Sequence, residues 1–145
     1  MKYEFKTEPY AHQKDALLKA WNKEHYAFFM EMGTGKSKVL IDNFAILYSK
    51  GSINAVVIVA PKGVYRNWSE RELPIHLPEY ITHRIGVWSP SPKKEEKQKL
   101  LDLFEVTNEL KILVMNVEAF STKKGLTFAE NFILAHQTLL SIDES

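Results

Sequence analysis

Tyr26-Ala27-Phe28-Phe29-Met30-Glu31-Met32-Gly33-Thr34-Gly35-Lys36-Ser37 is the stretch on which the fold of this chain turns. Residues 26–30 are a short, nearly continuous apolar run, which suits a strand buried on both faces. Two glycines interrupt the run. A helical pattern then extends from about Lys36 to Ser49, and Gly51 sits where a C-terminal cap belongs. Strand, glycine-bearing turn and helix in that order make a cradle for phosphate. Glycine lets the backbone aim its N–H groups at an anion where a side chain would block the approach. The helix start adds the positive end of its dipole. Lys36 supplies a compact charge for the β- and γ-phosphates, and the Ser37 hydroxyl is placed to ligate Mg²⁺. Met30 stands where the strict pattern GxxxxGK[ST] has a glycine, so the match is partial. The competing reading is a plain turn between a strand and a helix.

Around this stretch the pattern alternates. Apolar periodicity predicts a helix over 9–21. The β-branched run over 53–60, closed by Pro61, is the clearest strand. A helix over 64–73 is expected to break before Pro74. Further strands are expected over 80–88, 111–117 and 138–142. The Ser-Pro repeats after Trp88 mark a loop, and helices follow over 93–105 and 127–136. The Lys93–Lys99 charge run reads as a solvated helix face with i,i+4 pairs. Strands alternating with helices imply an α/β fold with a mainly parallel sheet covered on both faces. In such sheets ligands sit beyond the carboxyl ends of the strands.

Composition narrows the class. The chain has 145 residues, 45% of them hydrophobic, and a net charge of +1. A chain of this length buries roughly 68–70% of its unfolded surface, enough for one core and one domain. A near-neutral balance leaves nucleic acid open as a partner only through a local patch. The sequence has no cysteine, which excludes disulfides, thiolate zinc sites and cysteine nucleophiles. No apolar run approaches the roughly 20 residues that span a bilayer, and the N-terminus lacks an apolar signal core. The five histidines show no metal-ligand spacing.

The last apolar strand ends in Asp143-Glu144. A P-loop ATPase needs a carboxylate there to hold Mg²⁺ opposite the Ser37 hydroxyl. A neighbouring glutamate can orient or deprotonate the attacking water. Strand alternation separates the two side chains and permits two roles.

Four stretches together resemble a known family. They are Pro9-Tyr10-Ala11-His12-Gln13; residues 30–37 (MEMGTGKS); Ala60-Pro61-Lys62 continuing to Asn67-Trp68-Ser69-Glu70; and Ile142-Asp143-Glu144-Ser145. They resemble the glutamine motif and motifs I, Ia and II of superfamily 2 helicases, most of all the Swi/Snf-type branch of DNA translocases. Leu113 to Glu118 is similar to the strand and turn that precede motif II. In that branch a residue other than glycine is ordinary at the Met30 position. The resemblance implies a RecA-like P-loop lobe, with residues 1–24 as a glutamine-motif region and 25–145 as the core. It implies ATP and Mg²⁺ as cofactors. Gln13 would read adenine, and Met32, Gly33, Thr34, Gly35, Lys36 and Ser37 would bind the phosphates. Ser37 and Asp143 would hold the metal, with Lys36, Asp143 and Glu144 catalytic.

By the same resemblance Lys62, Arg66, Asn67 and Asn116 lie on a face toward DNA, expected to be duplex and read independently of sequence. Trp68 is expected to pack internally. The family carries a second RecA-like lobe with arginines that complete the ATP site. The chain is therefore expected to be a first lobe that ends in the DExx motif and is inactive alone. A cytoplasmic setting, bacterial or in a phage-infected cell, is expected, or the nucleus of a eukaryote. Two other readings stay open: a different P-loop enzyme such as a kinase, and a non-catalytic nucleotide- or DNA-binding module.

Overall fold

A computed structural model describes residues 26–30 and 36–143, with side chains described over 38–141. The glutamine motif with Gln13, the helix over 9–21, Met32 to Gly35, and Glu144 lie outside the described residues. Five strands form one sheet: β1 (Tyr26–Met30), β2 (Ala55–Ala60), β3 (His83–Val87), β4 (Leu110–Asn116) and β5 (Thr138–Asp143). Their spatial order is β1-β5-β2-β4-β3, and every neighbouring pair is parallel. The central strands β2 and β4 are buried along their whole length, as their mostly apolar sequences favour, with Lys111 and Asn116 the buried polar residues of β4.

Helices cover both faces. On one face α1 (Lys36–Ser49) buries Leu40, Ile41, Phe44 and Ala45 against Val56, Ile58, Ile112 and Val114. Gly51, at φ 79°, ends α1 as the sequence predicts: its N–H bonds to the Tyr48 carbonyl and that of Ser52 to the Leu47 carbonyl. On the same face lie three short helical pieces: α2 (Tyr65–Asn67), a π turn (Trp68–Glu72) and α3 (Leu73–His76). Trp68 is 1% exposed and anchors this segment in the core, as expected. The expected break before Pro74 does not occur. Pro74 falls in the first turn of α3, where a missing N–H costs nothing.

The opposite face is covered by α4 (Lys94–Asp102) and α5 (Lys123–Ala135), which bury Leu100, Ala129, Phe132 and Ile133 against Val57, Val59, Leu113 and Met115. Gly86 lets α4 come close to β3, since a Cβ there would stand 2.7 Å from Leu103 Cδ1. The helix expected over 127–136 starts earlier, at Lys123. The Thr122 hydroxyl accepts from the Gly125 N–H at 3.1 Å and so caps a turn whose apolar content is too low to show periodicity. The expected charge pairing on α4 also takes another form. Glu96 reaches back to the Lys93 N–H at 3.0 Å, and Gln98 bonds Asp102 at 2.8 Å.

The amino end of β3 and β4 is tied by charge. Arg84 meets Glu109 at 2.7 Å, Glu105 at 2.9 Å and the Asp102 carbonyl at 3.1 Å. Lys111, 3% exposed, donates to the carbonyls of Thr107 and Glu109 at 3.1 Å each. Burial pulls its ammonium below the ordinary lysine range.

Candidate functional site at the carboxyl edge of the sheet

Parallel strands end together, so each motif that follows a strand arrives at one edge. Met30, the last residue of β1, is the register partner of Asp143 in β5. Helix α1 opens at Lys36, directly after the glycine-bearing sequence. Neighbouring strands lie roughly 4.8 Å apart, so Met30, from which the glycine-bearing sequence departs, sits beside Asp143. Of the expected ATP-site residues, the described backbone includes Lys36 and Ser37 at the start of α1 and Asp143 at the end of β5.

One strand further in, Ala60 ends β2 opposite Asn116 of β4. Lys62, Arg66 and Asn67 follow Ala60, and all three are exposed. Their partners differ. The Arg66 guanidinium lies 5.4 Å from the Tyr65 ring centroid and 3.4 Å from Glu96 on α4. The Lys93 N–H, and then Arg66, hold the Glu96 carboxyl below its usual range. An exposed pair at that distance is weak and can be exchanged for a phosphate. Asn116 is 9% exposed and donates its side-chain amide to Glu118 at 2.9 Å. The structure therefore gathers Lys62, Arg66, Asn67 and Asn116 on the same edge as Asp143, with Lys62 and Asn67 as the open contacts.

Sequence reasoning missed the link between this segment and β3. Tyr65 is buried, and its hydroxyl donates to the Trp88 carbonyl at 3.2 Å. This ties the turn after β2 to the end of β3. No local signal announces a contact between residues so far apart in the chain.

The fold and this edge define a RecA-like ATPase lobe of the helicase superfamily 2 type. The model of the type III restriction enzyme, res subunit, matches residues 6–145, and the chain belongs to that family. Domains of this family are helicase-like, hydrolyse ATP with a divalent metal, and typically bind DNA. Comparison with curated proteins finds no match. Among the described residues no helix is long and apolar enough to cross a membrane.

Proposed function

We propose that this chain is the ATP-binding lobe of a Swi/Snf-type DNA translocase. It would couple ATP binding and hydrolysis to movement on duplex DNA, in concert with a second RecA-like lobe on the same chain. The observation that supports this reading is the register of Met30, which leads into the GTGKS sequence, with Asp143, which leads into Glu144. In this assignment Gln13 reads adenine, and Met32 to Ser37 wrap the phosphates through backbone N–H groups and the Lys36 ammonium. Ser37 and Asp143 would hold Mg²⁺, which would supply positive charge beside the phosphates. Glu144 orients the attacking water and takes its proton. Lys62, Arg66, Asn67 and Asn116 follow the DNA backbone, so binding is independent of sequence. The cytoplasm of a bacterial or phage-infected cell is the proposed setting.

Two measurements test this together. Mg-ATP should protect the chain against heat. Labelled duplexes of unrelated sequence should bind with similar, salt-sensitive affinity that weakens in Lys62→Ala. No protection at saturating Mg-ATP overturns the nucleotide assignment. Strong preference for one duplex sequence overturns the translocase assignment.

A further inference from the structure

The loop after β3, α4 and the start of α5 enclose a groove of about 570 Å³. Trp88, Pro90, Pro92, Leu101 and Phe128 give it an apolar wall. The Trp88 and Phe128 rings stand 5.2 Å apart, tilted by 44°. Lys97 of α4 and Lys124, in the first turn of α5, stand on opposite banks. Both are exposed, and neither forms an ion pair among the described residues. No carboxylate is among the described residues lining the groove. Its other polar groups, such as Ser91 and Thr127, are neutral hydrogen-bonding side chains.

The groove continues the proposed DNA face. It lies beyond the end of β3, the strand at the far side of the sheet from β1. The Tyr65–Trp88 hydrogen bond and the Arg66–Glu96 contact join it to the segment bearing Lys62, Arg66 and Asn67. A strand whose phosphates follow that segment would next meet Lys97 and Lys124. An apolar slot between two unpaired cations suits one ligand chemistry: an anionic backbone with a detachable flat ring. Bases of a duplex are paired and stacked, and present only phosphates to such a site. An unpaired base can turn its face to an aromatic side chain, and this stacking tolerates any sequence.

We propose that this groove holds an unpaired nucleotide, its base against Phe128 and its flanking phosphates on Lys97 and Lys124, so that the protein favours duplex DNA bearing a single-stranded extension. The assignment rests on the DNA-binding reading above and narrows its substrate. An acidic peptide with an apolar anchor is the rival occupant. The continuity with Lys62 and Arg66 favours the nucleic acid.

The test compares a labelled blunt duplex with the same duplex carrying an oligothymidine overhang, by fluorescence anisotropy. The wild-type chain should bind the overhang form several-fold more tightly. Lys97→Glu with Lys124→Glu should erase that advantage, weakening the overhang form several-fold more than the blunt duplex. Two lost single-strand contacts should also make the log–log salt slope shallower by about 1.4. Lys97→Arg with Lys124→Arg should keep the advantage. Both lysines are exposed, so these variants should fold, and circular dichroism checks it. Bromodeoxyuridine placed in the overhang should photo-crosslink within residues 88–101 or 124–131. An advantage that survives charge reversal, crosslinks elsewhere, or an acidic peptide that binds the groove without competing with DNA would each overturn the assignment. Blunt-duplex binding that depends on Lys62 but gains nothing from an overhang sinks the groove alone. Failure to bind either duplex sinks the DNA reading as well.

Discussion

Met30 and Asp143 are register partners at the carboxyl ends of adjacent parallel strands. Backbone pairing thus joins two residues separated by most of the chain. The pairing is held by burial around it: β5 lies between β1 and β2, and Leu139 and Leu140 are each at most 2% exposed. The geometry of the corner therefore depends on the sheet core as much as on the motifs themselves.

If this corner binds nucleotide, Mg-ATP should raise the melting temperature. Ligand at a hundred times its Kd stabilises a native state by about 2.7 kcal/mol. For a domain of this size that is a rise of roughly 5–10 °C. Lys36→Ala should abolish the rise and leave the far-ultraviolet circular dichroism unchanged. Differential scanning fluorimetry with and without Mg-ATP gives the answer. An equal rise in the variant would show that Lys36 does not hold phosphate.

Gly125→Ala should destabilise the fold. A Cβ at this position would stand 2.3 Å from the Ala119 carbonyl oxygen and 2.9 Å from Thr122 Oγ1. The start of α5 would have to move off the 3₁₀ turn Val117–Ser121 that joins it to β4. Alanine gains up to about 1 kcal/mol in helix propensity over glycine. Overpacking costs about 1–3 kcal/mol, and a contact this short lies at the upper end, so the clash should win. Urea unfolding should show a lower midpoint, whereas Lys124→Ala next door should stay within about 0.5 kcal/mol of wild type.

His136 gives the fold an acid-sensitive joint. Burial, the largest cause, and the Lys111 charge lower its pKa, against an opposing hydrogen bond to the Leu103 carbonyl at 2.8 Å. Its ring packs 4.9 Å from the Phe132 ring. A histidine whose folded pKa lies below its ordinary value of about 6.5 is more easily protonated when unfolded. Its contribution to stability is therefore full above that value and is lost as pH falls toward the folded pKa. The slope is at most about 1.4 kcal/mol per pH unit. Urea midpoints taken above and below the ordinary histidine pKa should differ more in wild type than in His136→Gln. Equal slopes would remove His136 as the cause.

The parts of this fold that the sequence announces are those whose causes are local. The apolar runs over 55–60 and 112–115 signal strands buried on both faces. Gly51 marks the end of α1 because the cap needs a positive φ. The α/β class follows from such local signals, whereas the pairing of β1 with β5 is set at a distance, and the expectation that Asp143 stands opposite Ser37 rests on what a P-loop ATPase needs. What escapes is set at a distance. Pro74 reads as a breaker because its neighbours do not reveal the π turn that delivers it into the first turn of a new helix. Arg66 reads as an open cation, yet Glu96 comes to it from a helix 30 residues away. Lys111 opens the strand expected over 111–117, and nothing in that run reveals that residues 107–109 fold back to supply its acceptors. The groove at the end of β3 draws on three separate segments, so no spacing rule reveals it.

We propose, last, that ATP turnover requires a second lobe. Phosphoryl transfer depends on cations placed around the γ-phosphate, and an arginine supplied from outside the phosphate loop is worth roughly 10³–10⁵ in rate. This sequence has three arginines, Arg66, Arg71 and Arg84. Arg84 is clamped by Glu105 and Glu109 at the amino end of β3, away from the carboxyl edge. Arg66 faces Glu96, and Arg71 lies on the π turn after α2 rather than on a loop at the ends of β1 or β5. None of the three belongs to the segments that flank the proposed γ-phosphate position. The 145 residues alone should therefore release phosphate from ATP at near-background rate, with or without duplex DNA. A longer protein that joins them to a second RecA-like lobe should show DNA-stimulated release faster by about the factor an arginine supplies. Glu144→Gln in that protein should abolish the release while leaving Mg-ATP binding intact, because the substitution removes the base and keeps the shape. Phosphate release measured side by side decides it: vigorous, DNA-stimulated turnover by the 145-residue chain would mean that its own residues complete the site, and the two-lobe assignment would fall.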